Sequence, residues 1–348
     1  MSSWTFKRWL FWILFLAALL MVVAGVAVTV GAVWIPLSKS WSVLLHSLGG
    51  RDPASGGMDR EAVILLELRV PRVLSGALVG AALALCGAVL QALLRNPLAD
   101  PYVLGISSGA ALGAVLAILF GLGSIALGSY AVPAAAFSGA LLTLLFVYFL
   151  ARVQGRVPAQ TMLLAGFIVS AFFLSIIMFL ISWTSDERLF QVTFWLMGNL
   201  EYMASQPLGG ICLYLLLGSA VLFSQAKDLN LVALGEETAA ELGVEVERVK
   251  KITFVFASLI TGAVVSVSGL IGFVGLVVPH LVRMIWGPDH RFLLPASALT
   301  GAVLLVFADM IARTILAPSE IPVGVITALG GAPFFVYLLR RKGLAGNS

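Results

Sequence analysis

Charged side chains are what this chain has least of. They make up 11% of its 348 residues, against 60% apolar residues and a mean hydropathy of +1.05. An average soluble domain carries about 25% charged residues, so the composition excludes an ordinary water-facing surface and indicates a polytopic membrane protein. Cysteine is almost missing too. Cys86 and Cys212 both fall in apolar runs, where they read as small buried hydrophobes rather than a disulfide or a metal pair. His46, His280 and His290 stand apart, so no metal-ligand cluster is on offer, and neither a metal nor another cofactor is expected. No glycine loop runs into Lys-Ser or Lys-Thr, which excludes Walker-type nucleotide binding by the chain itself. Paired catalytic carboxylates are lacking as well, and the chain reads as something other than an enzyme. Its net charge of +4 is a topology signal here, with no nucleic-acid partner implied.

What charge there is concentrates in one place. Eight of the sixteen residues from Glu236 to Lys251 are charged. This polar island cannot cross a bilayer, yet apolar runs flank it. Ala239, Leu242, Val246 and Val249 recur within it at helical spacing, which predicts an amphipathic helix with an apolar stripe beside an acidic face. A membrane protein that builds such a helix into an internal loop has a surface for a partner.

Apolar stretches long enough to span, or nearly so, run over 9–33, 70–94, 101–120, 131–151, 159–182, 206–225, 252–271, 274–287, 295–316 and 322–339, roughly ten helices. The first follows Lys7-Arg8 and is too long for a signal peptide. The eighth is short and reads as a broken helix, tolerable only among neighbours that satisfy its backbone. Leu189 to Met197 reads as a short surface helix. The chain as a whole is one transmembrane domain, 1–348, with a polar loop at about 229–251.

An even number of crossings puts both termini on one side. That side carries Lys7, Arg8, Arg95, Arg152, Arg156, Lys227, Arg248, Lys250, Lys251, Arg283, Arg291, Arg340, Arg341 and Lys342. The other side keeps Lys39, Arg51, Arg60, Arg69, Arg72, Arg188 and Arg313. Fourteen against seven makes the termini and the polar island cytoplasmic by the positive-inside rule.

Glycines sit inside the spans, at Gly76, Gly80 and Gly87 and again at Gly262, Gly269, Gly272 and Gly275, where small residues let helix backbones approach. Gly76-Ala-Leu-Val and Gly262-Ala-Val-Val begin similar runs that enter the membrane from opposite faces, which hints at an inverted repeat. Ionisable groups within the spans are nearly absent, and the candidates to bind a coupling ion are Asp309 and Arg313, four residues apart and spaced for a local ion pair. A proton- or sodium-coupled carrier usually needs a midplane carboxylate or histidine, so the energy source is expected outside the chain.

Three stretches carry a resemblance. One is Arg69 to Ala110, RVPRVLSGALVGAALALCGAVLQALLRNPLADPYVLGISSGA. Another is Leu234 to Gly243, LGEETAAELG. The third is Gly272 to Arg283, GFVGLVVPHLVR, with Asp289-His-Arg, Leu294-Pro and Glu320 to Pro333 after it. Over residues 60–342 these resemble the FecCD-type permeases of ATP-binding-cassette importers, which carry iron–siderophore complexes, haem and cobalamin. The resemblance implies ten helices per subunit, with helices two to five and seven to ten as inverted repeats. It also implies two permease subunits side by side, a homodimer, with the translocation path between them. Two ATPase subunits would sit on the cytoplasmic face of the inner membrane and a substrate-binding protein would dock outside.

In that likeness Gly235, Glu236, Ala239, Leu242 and Gly243 match the coupling helix that inserts into the ATPase. Arg69, Arg72 and Arg313 match arginines that meet acidic residues of the binding protein. The helix from Thr161 to Ile181 matches the pore-lining one, which makes Met162, Phe167, Phe172, Phe173 and Met178 path candidates. Asn96 to Pro101 matches the link between helices two and three, a structural turn, and His280 carries no haem-ligand role. The cargo expected first is an iron(III)–siderophore or haem. Cobalamin is the alternative within the family, and a stand-alone secondary transporter is the rival from another class.

Overall fold

The computed structural model describes residues 6–31, 33, 35–48, 60–122, 128–155, 157–184, 186–204 and 208–345. Arg51 and Arg156, counted in the charge balance, lie outside them. The described residues form helices and no β-sheet. Apart from single turns at Gly128–Tyr130 and Glu201–Ala204, in chain order these are α1 (Phe6–Thr29), α2 (Leu37–Leu48), α3 (Arg60–Leu93), α4 (Ile106–Leu119), α5 (Ala131–Ala151), α6 (Ala159–Ser182) and α7 (Asp186–Leu196). Then come α8 (Leu208–Ser224), α9 (Ala226–Leu234), α10 (Glu236–Glu241), α11 (Val246–Ser268), α12 (Val274–Trp286), α13 (His290–Thr314) and α14 (Val323–Ala345). Six of them are long and apolar enough to cross a bilayer: α1, α3, α5, α6, α11 and α13. A seventh is the pair α8 and α9 if counted as one span, bent by 49°, and α4, α12 and most of α14 are shorter apolar helices.

The short helices begin part-way along the bundle because the chain reverses just before them. Gly105 precedes α4 with φ of 82°, and Phe273 precedes α12 with φ of 68°. Both residues are left-handed, a conformation that is routine for glycine and uncommon for phenylalanine. In α12, Pro279 has no N–H to give the carbonyl of Gly275, four residues back. Gln91 of α3 fills the gap: its Nε2 donates to the carbonyls of Gly275 and Leu276, both at 3.2 Å, while Arg283 Nη1 donates to Gln91 Oε1 at 3.1 Å. The reach is short because the backbones nearly touch. A Cβ placed on Gly87 would lie 1.9 Å from the Gly275 carbonyl oxygen, and one on Gly80 would lie 2.2 Å from that of Gly301.

The helix neighbours repeat in a pattern. α3 lies along α13 as α11 lies along α5, α4 packs on α5 as α12 packs on α13, and α3 meets α12 as α11 meets α4. The contacts α5–α6 and α4–α6 have their counterparts in α13–α14 and α12–α14. Mapping α3–α6 onto α11–α14 thus reproduces the packing, with α3 against α11 as the self-paired contact. A mapping that exchanges the two sets in this way is the packing expected of internal repeats related by a two-fold axis. α3 is mostly buried at the centre, whereas α1 and α6 leave most of their apolar faces outside the subunit.

Three expectations change. The second span, expected from residue 70, begins at Arg60 and runs unbroken to Leu93. The seventh span starts at Val246, six residues before its apolar run, because the charged turn Glu247–Lys251 extends the helix out of the apolar layer. And the stripe of Ala239, Leu242, Val246 and Val249 does not belong to one helix, since Gly243 ends α10 before α11 begins.

Candidate functional site

The polar island folds into a small knob. Gly235 leaves α9 with φ of 141° and ψ of 144°, and α10 starts at once. Glu236 and Glu237 occupy its first turn, where the helix dipole favours negative charge. At the other end Gly243 is left-handed with φ of 86°. Its N–H donates to the carbonyl of Ala240 at 3.0 Å, and the Val244 N–H reaches back to Ala239 at 3.0 Å. That bond pair is a Schellman stop, which closes the carbonyl end of the helix and needs glycine in the left-handed place. Ala239 is fully buried and anchors the knob to the bundle, as Val249 does from α11. Leu242 and Leu234 do the opposite: they are 60% and 71% exposed, beside exposed Glu237, Ala240 and Glu241. The surface offered outward is therefore two leucines within an acidic rim.

Two polar clasps hold the knob. Lys250, at the base of α11 and buried, donates to Glu236 at 2.5 Å and to Glu247 at 3.1 Å. On the other side Asn230 of α9 donates to Asp289 at 2.9 Å and accepts the His290 N–H at 2.8 Å. Asp289 also accepts the Arg291 N–H, capping α13. Burial opposes the charge on Asp289, but hydrogen bonds from Arg291 and Asn230 outweigh it and bring its carboxyl down to about 2. The Arg291 guanidinium lies 5.1 Å from the centre of the Trp9 ring.

Arg69 and Arg72, nine and twelve residues into α3, and Arg313, in the last turn of α13, are the three arginines matched to binding-protein docking, and all three are buried, 5–8% exposed. Arg69 donates through Nη1 to the carbonyls of Val28 at 2.9 Å and Thr29 at 2.7 Å, and through Nη2 to Val33. Arg313 donates to Ala27 at 3.2 Å. These are the last carbonyls of α1 and the turn after it, which an isolated helix leaves without partners. Two guanidiniums from α3 and α13 thus cap the end of α1. Asp309 pairs with Arg313 at 2.9 Å, the spacing expected, and also with Arg72 at 3.0 Å, whose other end reaches Glu320 at 2.6 Å. In this structure the arginines face inward, with only Glu320 substantially exposed.

On α6 the path candidates divide. Phe167, Phe172 and Met178 are 54–64% exposed and share the open face, and Phe173 is half-buried, with its ring centre 6.1 Å from that of Phe172. Met162 is 3% exposed. It faces Leu93, Tyr148 and Phe254 in the bundle, so it packs the core and does not share that open face. Asn96 to Pro101 is the turn its prolines indicate, with Asn96 Oδ1 accepting the Leu98 N–H and Asp100 Oδ1 that of Tyr102, both at 2.9 Å. Gly105 to Gly109 carries a Gly-x-Ser-x-Gly spacing. Its setting is a helix start in a helical bundle rather than strand–turn–helix, and Ser107 Oγ is buried without a hydrogen bond, so no nucleophile elbow results.

No partners for Lys250, Asn230, Gln91 or Glu320 are written in the sequence. Gln91 was in reach of reasoning, because Pro279 guarantees an orphaned carbonyl that some donor must meet. Nothing in the sequence pairs Glu320 with Arg72, 248 residues away.

Comparison with known proteins agrees with the motifs. Residues 16–341 match the family described as the FecCD transport family. The cobalamin import system permease of Halobacterium salinarum is 44% identical over 327 residues, 93% of this chain and 86% of that protein. The hemin transport system permease of Yersinia pestis is 40% identical over 331 residues, 94% and 95% of the two chains. Among solved structures, a transporter assigned to the metal-chelate type, in an inward-facing conformation, superposes with a TM-score of 0.79 at 31% identity, covering 95% of this chain and 99% of that one. With near-complete coverage at these identities, the chain belongs to the FecCD transport family and is a membrane permease of an ATP-binding-cassette importer, a transport subunit rather than an enzyme.

Proposed function

We propose that this chain works as one of two identical permease subunits that move an iron chelate, an iron(III)–siderophore or haem, inward across the cytoplasmic membrane. The knob at Gly235–Gly243 carries the reading: a stiff, glycine-stopped helix offers exposed Leu234 and Leu242 on an acidic rim, in a protein whose buried carboxylate Asp309 is already paired with Arg72 and Arg313. It sits on the cytoplasmic side with both termini and receives an ATPase subunit, one per permease. Gly235, Glu236, Ala239, Leu242 and Gly243 serve that contact in two ways, Leu242 by touching and the others by shaping. Phe167, Phe172 and Met178 line the path against the second subunit, where soft apolar surface lets a bulky chelate pass without tight binding.

A binding protein docks at the outer ends of α3 and α13. Arg69, Arg72 and Arg313 act there mostly from within, by fixing the ends of three helices, and Glu320 is the part of the cluster within a partner's reach. An iron chelate is favoured by the haemin permease relative, aligned over nearly the full length of both chains. A cobalamin cargo is the second reading, favoured by the relative at 44% identity. Uptake into proteoliposomes holding the permease, its ATPase and its binding protein separates them. Radio-iron ferrichrome or haemin should accumulate with ATP, and accumulation of cyanocobalamin alone would overturn the iron reading. Accumulation that needs no ATPase would overturn the importer reading altogether.

A further inference from the structure

We infer that Lys250 is a positioning residue that transmits movement of the knob to α6, the helix bearing Phe167, Phe172 and Met178. This rests on the knob being the ATPase contact, and it goes beyond the contact itself to how the push is passed on.

The geometry is a clasp between three elements. Lys250 Nζ holds Glu236 Oε2, the first residue of α10, at 2.5 Å, and lies 3.4 Å from the carbonyl oxygen of Val157. Glu247, one turn earlier on α11, accepts from Lys250 through Oε1 at 3.1 Å and from the Val157 N–H through Oε2 at 3.3 Å. Val157 is therefore gripped at both its N–H and its carbonyl, and it stands two residues before α6 begins at Ala159. The knob packs on α9 and α11, and its polar link to α6 runs through Lys250.

The surroundings make that link stiff. Lys250 is 6% exposed, and it lines with Leu93, Leu94, Tyr148, Met162 and Phe254 a void of only about 10 Å³. The side chains of Glu236 and Glu247 keep an edge in water, 31% and 45% exposed, so the stiffness comes from the close-packed surroundings of the lysine, which transmit displacement instead of absorbing it. A lysine serving only to neutralise Glu236 could have stayed at the surface. This one is placed where the ends of α3, α5 and α6 meet the start of α11. On the far side of the knob Asn230 ties α9 to the start of α13, which leaves α6 as the element that the Lys250 side moves.

The test is cargo moved per ATP hydrolysed by the full complex in proteoliposomes, using whichever of ferrichrome, haemin or cyanocobalamin the unaltered complex accumulates. Lys250→Met should lower that ratio at least about tenfold, within the usual range of coupling effects, while the ATPase still co-purifies, and Lys250→Arg should restore most of it. A ratio within twofold of the unaltered complex would overturn the inference. So would loss of the ATPase from the complex in step with uptake, since Lys250 would then only shape the docking surface. If Lys250→Met fails to assemble, Glu247→Gln loosens the grip on Val157 and leaves the Lys250–Glu236 pair, so the ratio should still fall, and an unchanged ratio overturns the inference. An unaltered complex without ATP-driven uptake would instead sink the importer reading itself.

Discussion

Replacing Arg69 with methionine separates a capping arginine from a docking one. Arg69 makes three bonds to carbonyls at and beyond the end of α1, to Val28, Thr29 and Val33. A hydrogen bond from a charged group contributes about 1.5–3 kcal/mol, so three amount to about 5–9 kcal/mol gross. The variant recovers several kcal/mol because the guanidinium, 5% exposed, no longer has to leave water. About 2–4 kcal/mol should remain lost, and the freed carbonyls keep it from falling to nothing. For a chain of this size each kcal/mol moves the melting midpoint by about 1.4 °C, so Arg69→Met should melt about 3–6 °C lower in detergent. Arg69→Lys should recover part of the loss, since a lysine reaches but cannot fork. Tryptophan fluorescence during heating reads the shift, and titration with the binding protein reads docking. An unchanged midpoint with weakened docking would refute the capping account and return Arg69 to the outer surface.

Other expectations follow from single positions. Gly243→Val forces a β-branched residue to φ of 86°, so ATP-driven uptake should be abolished while the protein still inserts; normal uptake would refute the need for that stop. Met162→Ala should cost about 2–5 kcal/mol as a core deletion, whereas Phe167→Ala on the open face should leave the midpoint almost unchanged and alter uptake. Gly87→Val should prevent a stable bundle, because its Cβ would fall 1.9 Å from the Gly275 oxygen, and a protein of normal melting temperature would contradict that crossing. Asp289 is depressed when folded, so its contribution is complete above the ordinary carboxylate pKa of about 3.9 and drains as pH falls toward about 2. The gap in melting temperature between the native chain and Asp289→Asn should therefore hold from pH 8 to 5 and narrow below about pH 4.

The helices were legible because membrane spans are written in long apolar runs. The span read at 131–151 matches α5 and that at 159–182 matches α6 residue for residue. Where polarity and helicity part company the text of the sequence misleads. α11 runs on into its charged turn, and the stripe from Ala239 to Val249 is shared by two helices because Gly243 turns the chain between them. The knob's place and its glycine stop were readable. Which of its side chains face inward was not, since spacing alone does not tell buried Ala239 from exposed Leu242. The arginines show the same limit. The run at 70–94 put Arg69 and Arg72 at a helix start, whereas the helix begins at Arg60, and a guanidinium capping α1 from α3 is a contact across 40 residues that no local pattern encodes.

The claim that bears most weight is that the knob receives the ATPase. A photo-crosslinking amino acid at Leu242, 60% exposed at the knob's tip, tests it in the assembled complex. The expected result is a covalent product between this chain and the ATPase subunit, and none from a probe at Phe11 on the exposed side of α1. A complex that takes up cargo with ATP yet yields no ATPase product from Leu242 would contradict the account.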